Sequence, residues 1–258
     1  MSARAEAVPV FAVEGLAKSF GAVKALRRAD LQCARGEVTA LVGDNGAGKS
    51  TLVRCMTGVY APDAGTMRFE GRAVTFHSPD DARALGIETV YQDLALVEDL
   101  TVWQNMYLNR EITRGFGPFR ILDRRGMADA ADKTMRRLLV NVPAVRSKVR
   151  RLSGGQRQSI AISRAVSWGS ALVIMDEPTA ALGVRETQAV EDLILRLRAE
   201  GIAQLVISHN LEQVMRISDT VWVMRQGQTV AHLRTRDTDS GTIIAAITGL
   251  ESGTATSA

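Results

Sequence analysis

The stretch Gly43-Asp44-Asn45-Gly46-Ala47-Gly48-Lys49-Ser50-Thr51, entered from the apolar run Val38 to Val42, decides the fold. It satisfies G-x-x-x-x-G-K-[ST] between a strand and a helix, the context a phosphate-binding loop requires. Gly46 and Gly48 let backbone amides turn inward toward phosphate oxygens, where a side chain would collide. The helix that opens near Gly48 adds the positive end of its dipole. Lys49 is placed to bridge the β- and γ-phosphates, Ser50 to ligate Mg²⁺ and Thr51 to reach the α-phosphate, with Gly43 and Asn45 completing the lining. The ligand class is a nucleoside triphosphate.

Working outward, Leu172-Val173-Ile174-Met175-Asp176-Glu177 is an apolar run ending in two carboxylates. It reads as a buried parallel strand, so Asp176 emerges at the C-terminal edge, where α/β sheets place their ligands, and can hold the Mg²⁺ shell through water. Strands are also expected over Val10–Val13, Val23–Cys33, Thr66–Phe69, Ile87–Tyr91 and Ile202–Ser208, with a hairpin Thr220–Arg225/Gln228–Leu233 across Gly227. Helices follow Lys49, Ser78-Pro79 (N-cap and first position), Ser153, Arg185 and Leu211, with a last short one over Thr242–Ile247.

From Asp93 to Arg151 the strand signal disappears. Thr101 caps a helix running through Leu108, and Gly115-Phe116-Gly117-Pro118 breaks the pattern. Asp123 then caps a helix whose Met127, Ala131, Met135, Leu138 and Leu139 recur at helical spacing. These features predict an α/β P-loop NTPase core with an N-terminal antiparallel β subdomain and an inserted, all-helical subdomain over about 93–158. The whole of 1–258 reads as a single domain, with 252–258 a disordered tail.

Between the two halves of the nucleotide site stands Leu152-Ser153-Gly154-Gly155-Gln156, opening a long helix whose amides and hydroxyl form a second anion-binding end. One ATP does not need two such cradles in a monomer. With these motifs in this order, the chain resembles the ATP-binding subunit of an ABC transporter from about Val10 to about Leu250. The resemblance implies head-to-tail dimerisation, each ATP lying between one subunit's phosphate loop and the partner's Ser153, Gly154, Gly155 and Gln156. It implies Glu177 as general base and His209, in Ser208-His209-Asn210, as the switch residue that binds the γ-phosphate and orients Glu177. Gln92, in Val90-Tyr91-Gln92-Asp93, stands where the family's Q-loop contacts Mg²⁺ or the lytic water. Phe20 stands where an aromatic ring stacks on adenine, although a core phenylalanine fits the sequence nearly as well. After Pro178-Thr179 the family generally has Ser-Ala-Leu-Asp; here Ala180-Ala181-Leu182-Gly183 lacks that carboxylate.

The Ala-Ala-Leu-Gly run and the stretch Val90 to Glu111 look like the monosaccharide-import branch. That resemblance implies transmembrane permease subunits, a second ATPase subunit (a homodimer) and, indirectly, a sugar-binding protein outside the membrane. The expected location is the cytoplasmic face of the cell membrane. Runner-up readings are a soluble ABC-type ATPase outside transport, which would usually show a coiled-coil insertion or tandem domains, and a P-loop kinase, which has no use for Leu152–Gln156 or His209.

Bulk properties agree. The chain has 258 residues, 46% hydrophobic and 5% aromatic, with no apolar run near the roughly 20 residues that span a bilayer. No secretory signal opens the sequence. Net charge is +4 and the basic residues crowd the middle, from Arg110 to Arg151. Interleaved Asp123, Asp129 and Asp132 and the lack of aromatic stacking argue against nucleic acid. A solvated helical face or a face toward anionic lipid remain. Cys33 and Cys55 match no metal or disulfide spacing and are expected as buried thiols.

Overall fold

The computed structural model describes residues 8–115 and 119–250; the expected tail 252–258 and the breaker residues 116–118 lie outside them. Ten strands form one sheet in the order β5-β4-β1-β2-β12-β11-β3-β10-β9-β6. Its first part is antiparallel: β1 (Phe11–Phe20), β2 (Val23–Cys33), β4 (Ala64–Phe69) and β5 (Arg72–Val74). Its second part holds the parallel strands β11 (Thr220–Arg225), β3 (Val38–Val42), β10 (Ala203–Ile207), β9 (Leu172–Asp176) and β6 (Ile87–Val90). Strand β12 (Gln228–Arg234) turns back from β11 and joins the two parts through Gln228 and Arg28.

The parallel strands are buried on both faces, which is why they read as unbroken apolar runs rather than alternating ones: β3 and β10 are buried at every position. Helix α1 (Lys49–Met56) packs its Leu52, Val53, Cys55 and Met56 into the core beneath the antiparallel part. Both cysteines are buried and free, and burial pushes the Cys33 thiol up to about 12 and Cys55 to about 11. A second core lies between the sheet, α5 (Gly154–Val166) and α6 (Val184–Ala199). A third, smaller one buries Ala40, Val42, Val221 and Val223 against α7 (Leu211–Ile217) and α8 (Ser240–Thr248).

The insert has its own core of Val102, Trp103, Met106, Met127, Ala131 and Met135. It is built from α3 (Val102–Met106), capped by Thr101, and α4 (Arg124–Arg137), capped by Asp123. Two expectations fail here. The insert is not all helical: β7 (Thr113–Arg114) pairs with β8 (Ile121–Leu122) around the Gly-Phe-Gly-Pro break. Strands of two residues are too short to show alternation, so no periodicity announced them. Leu139 does not continue the buried stripe; α4 ends one residue earlier at its cap, and Leu139 turns outward at φ +52° with 71% exposure. Strand β5 and the part of β1 beyond Val13 also escaped the pattern, because most of their positions are exposed or half-exposed and carry no apolar run.

Helix α5 belongs to two cores at once. Its Ile160, with Leu152 just ahead of its cap, packs in the insert's core, while Ala161, Ile162 and Ala165 pack in the core under the sheet. Several arginines of the middle segment are engaged with carboxylates: Arg110 with Glu88, Arg114 with Asp123, Arg136 with Asp132 and Arg137 with Glu200. Among the described residues no helix is long and apolar enough to cross a membrane.

Candidate functional site

Parallel register brings the C-terminal ends of five neighbouring strands to one edge. Ile207 of β10 stands level with Leu41 of β3 and with Asp176 of β9, and Met175 stands level with Val90 of β6. The residues that end or follow those strands therefore converge: Gly43–Thr51, Asp176-Glu177 and His209. This is the edge at which α/β sheets bind ligands.

The loop after β3 is held in a left-handed course. Gly43 has φ +148°, and a Cβ there would lie 2.2 Å from the Met224 carbonyl oxygen; Gly48 has φ +106°, and a Cβ would lie 2.8 Å from that of Ala25. Gly46 differs from the expectation: a Cβ would meet nothing within 4 Å, so its φ of +84° and not crowding is what calls for glycine. Lys49 folds back over the loop, its Nζ donating to the carbonyls of Gly43 at 2.5 Å and Asp44 at 3.0 Å. Partial burial lowers the Lys49 ammonium's proton affinity, against the opposing pull of Glu177, Asp176 and Asp44. Ser50 is exposed and Thr51 half-buried at the start of α1.

Across from the loop, Asp176 is pushed above the usual carboxylate range, first by desolvation and then by the charge of Glu177, with Lys49 opposing. Glu177 adopts φ +49°, and its N–H donates to the Ile207 carbonyl at 2.9 Å. A non-glycine residue in that region is strained and persists only where its surroundings hold it. The strain turns its carboxylate to His209, whose Nδ1 lies 2.8 Å from Glu177 Oε1.

Beneath that pair is a clasp that the sequence did not announce. Gln213 is fully buried, and its Oε1 accepts from the hydroxyls of Thr179 at 3.0 Å and Ser208 at 3.1 Å. Ser208 Oγ also accepts from the Asn210 N–H, and Asn210 caps α7. The loop carrying Glu177 and the loop carrying His209 are thus fastened to one carboxamide. The only sequence signal was a glutamine facing inward on a short helix.

Gln92 is not brought in. It is exposed, two residues past β6, and among the described residues makes no hydrogen bond to Asp176 or Glu177. The loop after it is fastened to α5, because the Arg164 guanidinium donates to the carbonyls of Leu94 and Ala95, both at 2.9 Å. Phe20 is 43% exposed at the end of β1, so it is not a core ring. Tyr60 meets it edge to face at 5.1 Å, a partner the sequence did not suggest.

Ser153 N-caps α5 in a capping box with Gln156, whose side chain also donates to the Asn141 carbonyl at 2.9 Å. Among the described residues no hydrogen bond joins Ser153–Gln156 to Gly43–Thr51. Gly155 is packed hard against α6: a Cβ there would lie 2.7 Å from Glu186 Cβ. Glu186 was also missed by sequence reasoning. Its carboxylate is held below the usual range by the Ser153 hydroxyl, then by the N–H groups of Gly155 and Gly183.

Comparison with known proteins agrees with this geometry. Residues 26–180 match the ABC transporter family. The chain is 43% identical to the xylose/arabinose import ATP-binding protein of Sulfolobus acidocaldarius, covering 92% of each chain. It is likewise 43% identical to the fructose import ATP-binding protein of Rhizobium meliloti, over 93% of this chain and 94% of that one. A ribose import ATP-binding protein of Streptomyces avermitilis is 42% identical over 86% of this chain, which spans only 43% of that relative's length. Among solved structures, an ATP-binding cassette of an ABC transporter in its ADP conformation superposes with a TM-score of 0.78 at 28% identity, covering 93% of this chain and 95% of that one. With the loop, the carboxylates and the capped α5 in these places, the chain belongs to the ABC transporter family and is an ABC-type ATPase.

Proposed function

We propose that this protein is the ATP-hydrolysing subunit of a sugar importer, working as a head-to-tail homodimer on a separate membrane permease. The observation that carries the reading is the Glu177–His209 contact on the same strand edge as Lys49. Lys49 and the loop amides hold the triphosphate. Glu177 takes the proton of the attacking water, and His209 keeps its carboxylate aimed while reaching the γ-phosphate. Phe20 offers an exposed ring face to the adenine.

The carboxylates fit Mg²⁺. Burial first, and then the neighbouring Glu177 charge, raise the Asp176 proton affinity, an excess of negative charge that a divalent cation beside Ser50 would relieve. Among the described residues no cluster of three metal-ligating side chains occurs; Mg²⁺ asks for only one or two carboxylates, with phosphate and water as its other ligands. When bound, Mg²⁺ supplies charge neutralisation on the β- and γ-phosphoryl oxygens. Gln92, exposed at the junction with the insert, would join that shell only on a movement of the insert toward the core.

Two features support pairing. The Ser153–Gln156 end of α5 stands apart from the chain's own loop, and a cassette of the same fold (21% identical, TM-score 0.73) is a dimer. Sugar as cargo rests on the import relatives. The test is the solution mass of Glu177→Gln with and without Mg-ATP. An ATP-dependent shift from monomer to dimer is expected; a variant that stays monomeric, or still hydrolyses ATP at the parent rate, overturns the proposal.

A further inference from the structure

The anion-binding end of α5 already has an occupant in the unpaired chain. Helix α6 starts at Val184 beside it, so closely that Gly154 faces Leu182 (a Cβ would lie 3.1 Å from its Cδ2) and Gly155 faces Glu186. Glu186 Oε2 accepts from the Gly183 N–H at 3.3 Å, and a Cβ on Gly154 would lie 3.8 Å from the same oxygen. The carboxylate therefore lies over the first turn of α5, beside Gly154 and Gly155; consistent with that placement, the Ser153 hydroxyl and the N–H groups of Gly155 and Gly183 hold it below the usual carboxylate range. Those are donors that the proposed function gives to the γ-phosphate of the partner's ATP.

An O–H or N–H gives its proton to one strong acceptor at a time, and two anions at one helix end repel each other. From this arrangement we infer that Glu186 is a gate in cis: its carboxylate stands at the Ser153–Gly155 end of α5 in the unpaired subunit and must be displaced, or tolerated at a cost, when the partner's nucleotide arrives. The carboxylate missing from position 183 is thereby replaced, three residues on, by one that faces its own subunit. Its effect is to raise the ATP level at which two subunits close. This rests on the shared-site reading and adds a regulator to it.

The test places Glu186→Gln in the Glu177→Gln background and follows solution mass through a Mg-ATP titration. The amide keeps the shape and an acceptor for Gly183 while removing the charge. The midpoint for pairing should fall about fivefold to tenfold, the difference between displacing a charged and a neutral acceptor. Glu186→Ala should shift it the same way. Pairing counts only where it requires Mg-ATP and stops at two chains, which separates a gain from aggregation of a damaged chain. An unchanged or higher midpoint in both variants overturns the gate and leaves Glu186 as a brace for α5. If the Glu177→Gln parent itself never pairs, the head-to-tail reading fails, and the gate fails with it.

Discussion

His209 Nδ1 lies 2.8 Å from Glu177 Oε1, although the two residues sit on loops after different strands. The contact is possible because Ile207 and Asp176 are register partners in neighbouring parallel strands, so the next residues of both leave the sheet together. Replacing His209 with Ala should lower kcat about 100-fold, the scale of a lost acid–base orientation, while KM for ATP changes far less. Steady-state hydrolysis over a range of ATP concentrations separates the two effects.

Gln213 supports that pair from below. Gln213→Leu keeps the bulk and removes the acceptor shared by Thr179 and Ser208, leaving two hydroxyls without it. Stability should fall by about 1–3 kcal/mol, the cost of a buried polar group losing its partner. The hydrolysis rate should fall about tenfold or more, through misplacement of Glu177 relative to His209. Denaturant melts and kcat, measured on the same preparation, check both.

Asp176 provides a pH test. Its folded-state proton affinity is raised by desolvation and by Glu177. Such a group favours the folded chain when protonated, and that contribution is lost as pH rises through its folded pKa. Asp176→Asn should therefore melt at a higher temperature than the parent at neutral pH without nucleotide. The gap should close as pH falls from that raised folded pKa toward the unfolded value near ~3.9, and be absent below it. The same variant should lose Mg-dependent hydrolysis.

Arg164 fastens the loop after Gln92 to α5. Arg164→Met should free the amides of residues 94–96, seen as faster hydrogen exchange there, while exchange in β3 and β9 stays slow.

Much of the fold was legible because the parallel strands are buried on both faces and read as apolar runs, and because caps at Thr101, Asp123 and Ser153 mark helix starts chemically. What escaped was either very short, like β7 and β8, or half-exposed, like β5. At the site, Lys49 and Asp176 could be placed from their strand-end and strand–loop–helix contexts, whereas Glu177 and His209 were singled out by resemblance to the family, because nothing local to either shows that they meet. Gln213, Arg164 and Glu186 act through contacts to segments 34, 70 and 33 positions away at Thr179, Leu94 and Ser153, and distances of that kind leave no local pattern.

Because α5 is packed by the insert on one side and by the sheet on the other, a rotation of the insert against the sheet would be carried along it as along a lever arm. Arg164 marks its pivot, fixed to the loop after Gln92, and Ser153 its tip, about 16 Å away at 1.5 Å of rise per residue. A swing of about 10° about that pivot carries the tip through about 3 Å, the full length of a hydrogen bond. Small rotations at the base of the rod are thus magnified into the making or breaking of contacts at its far end.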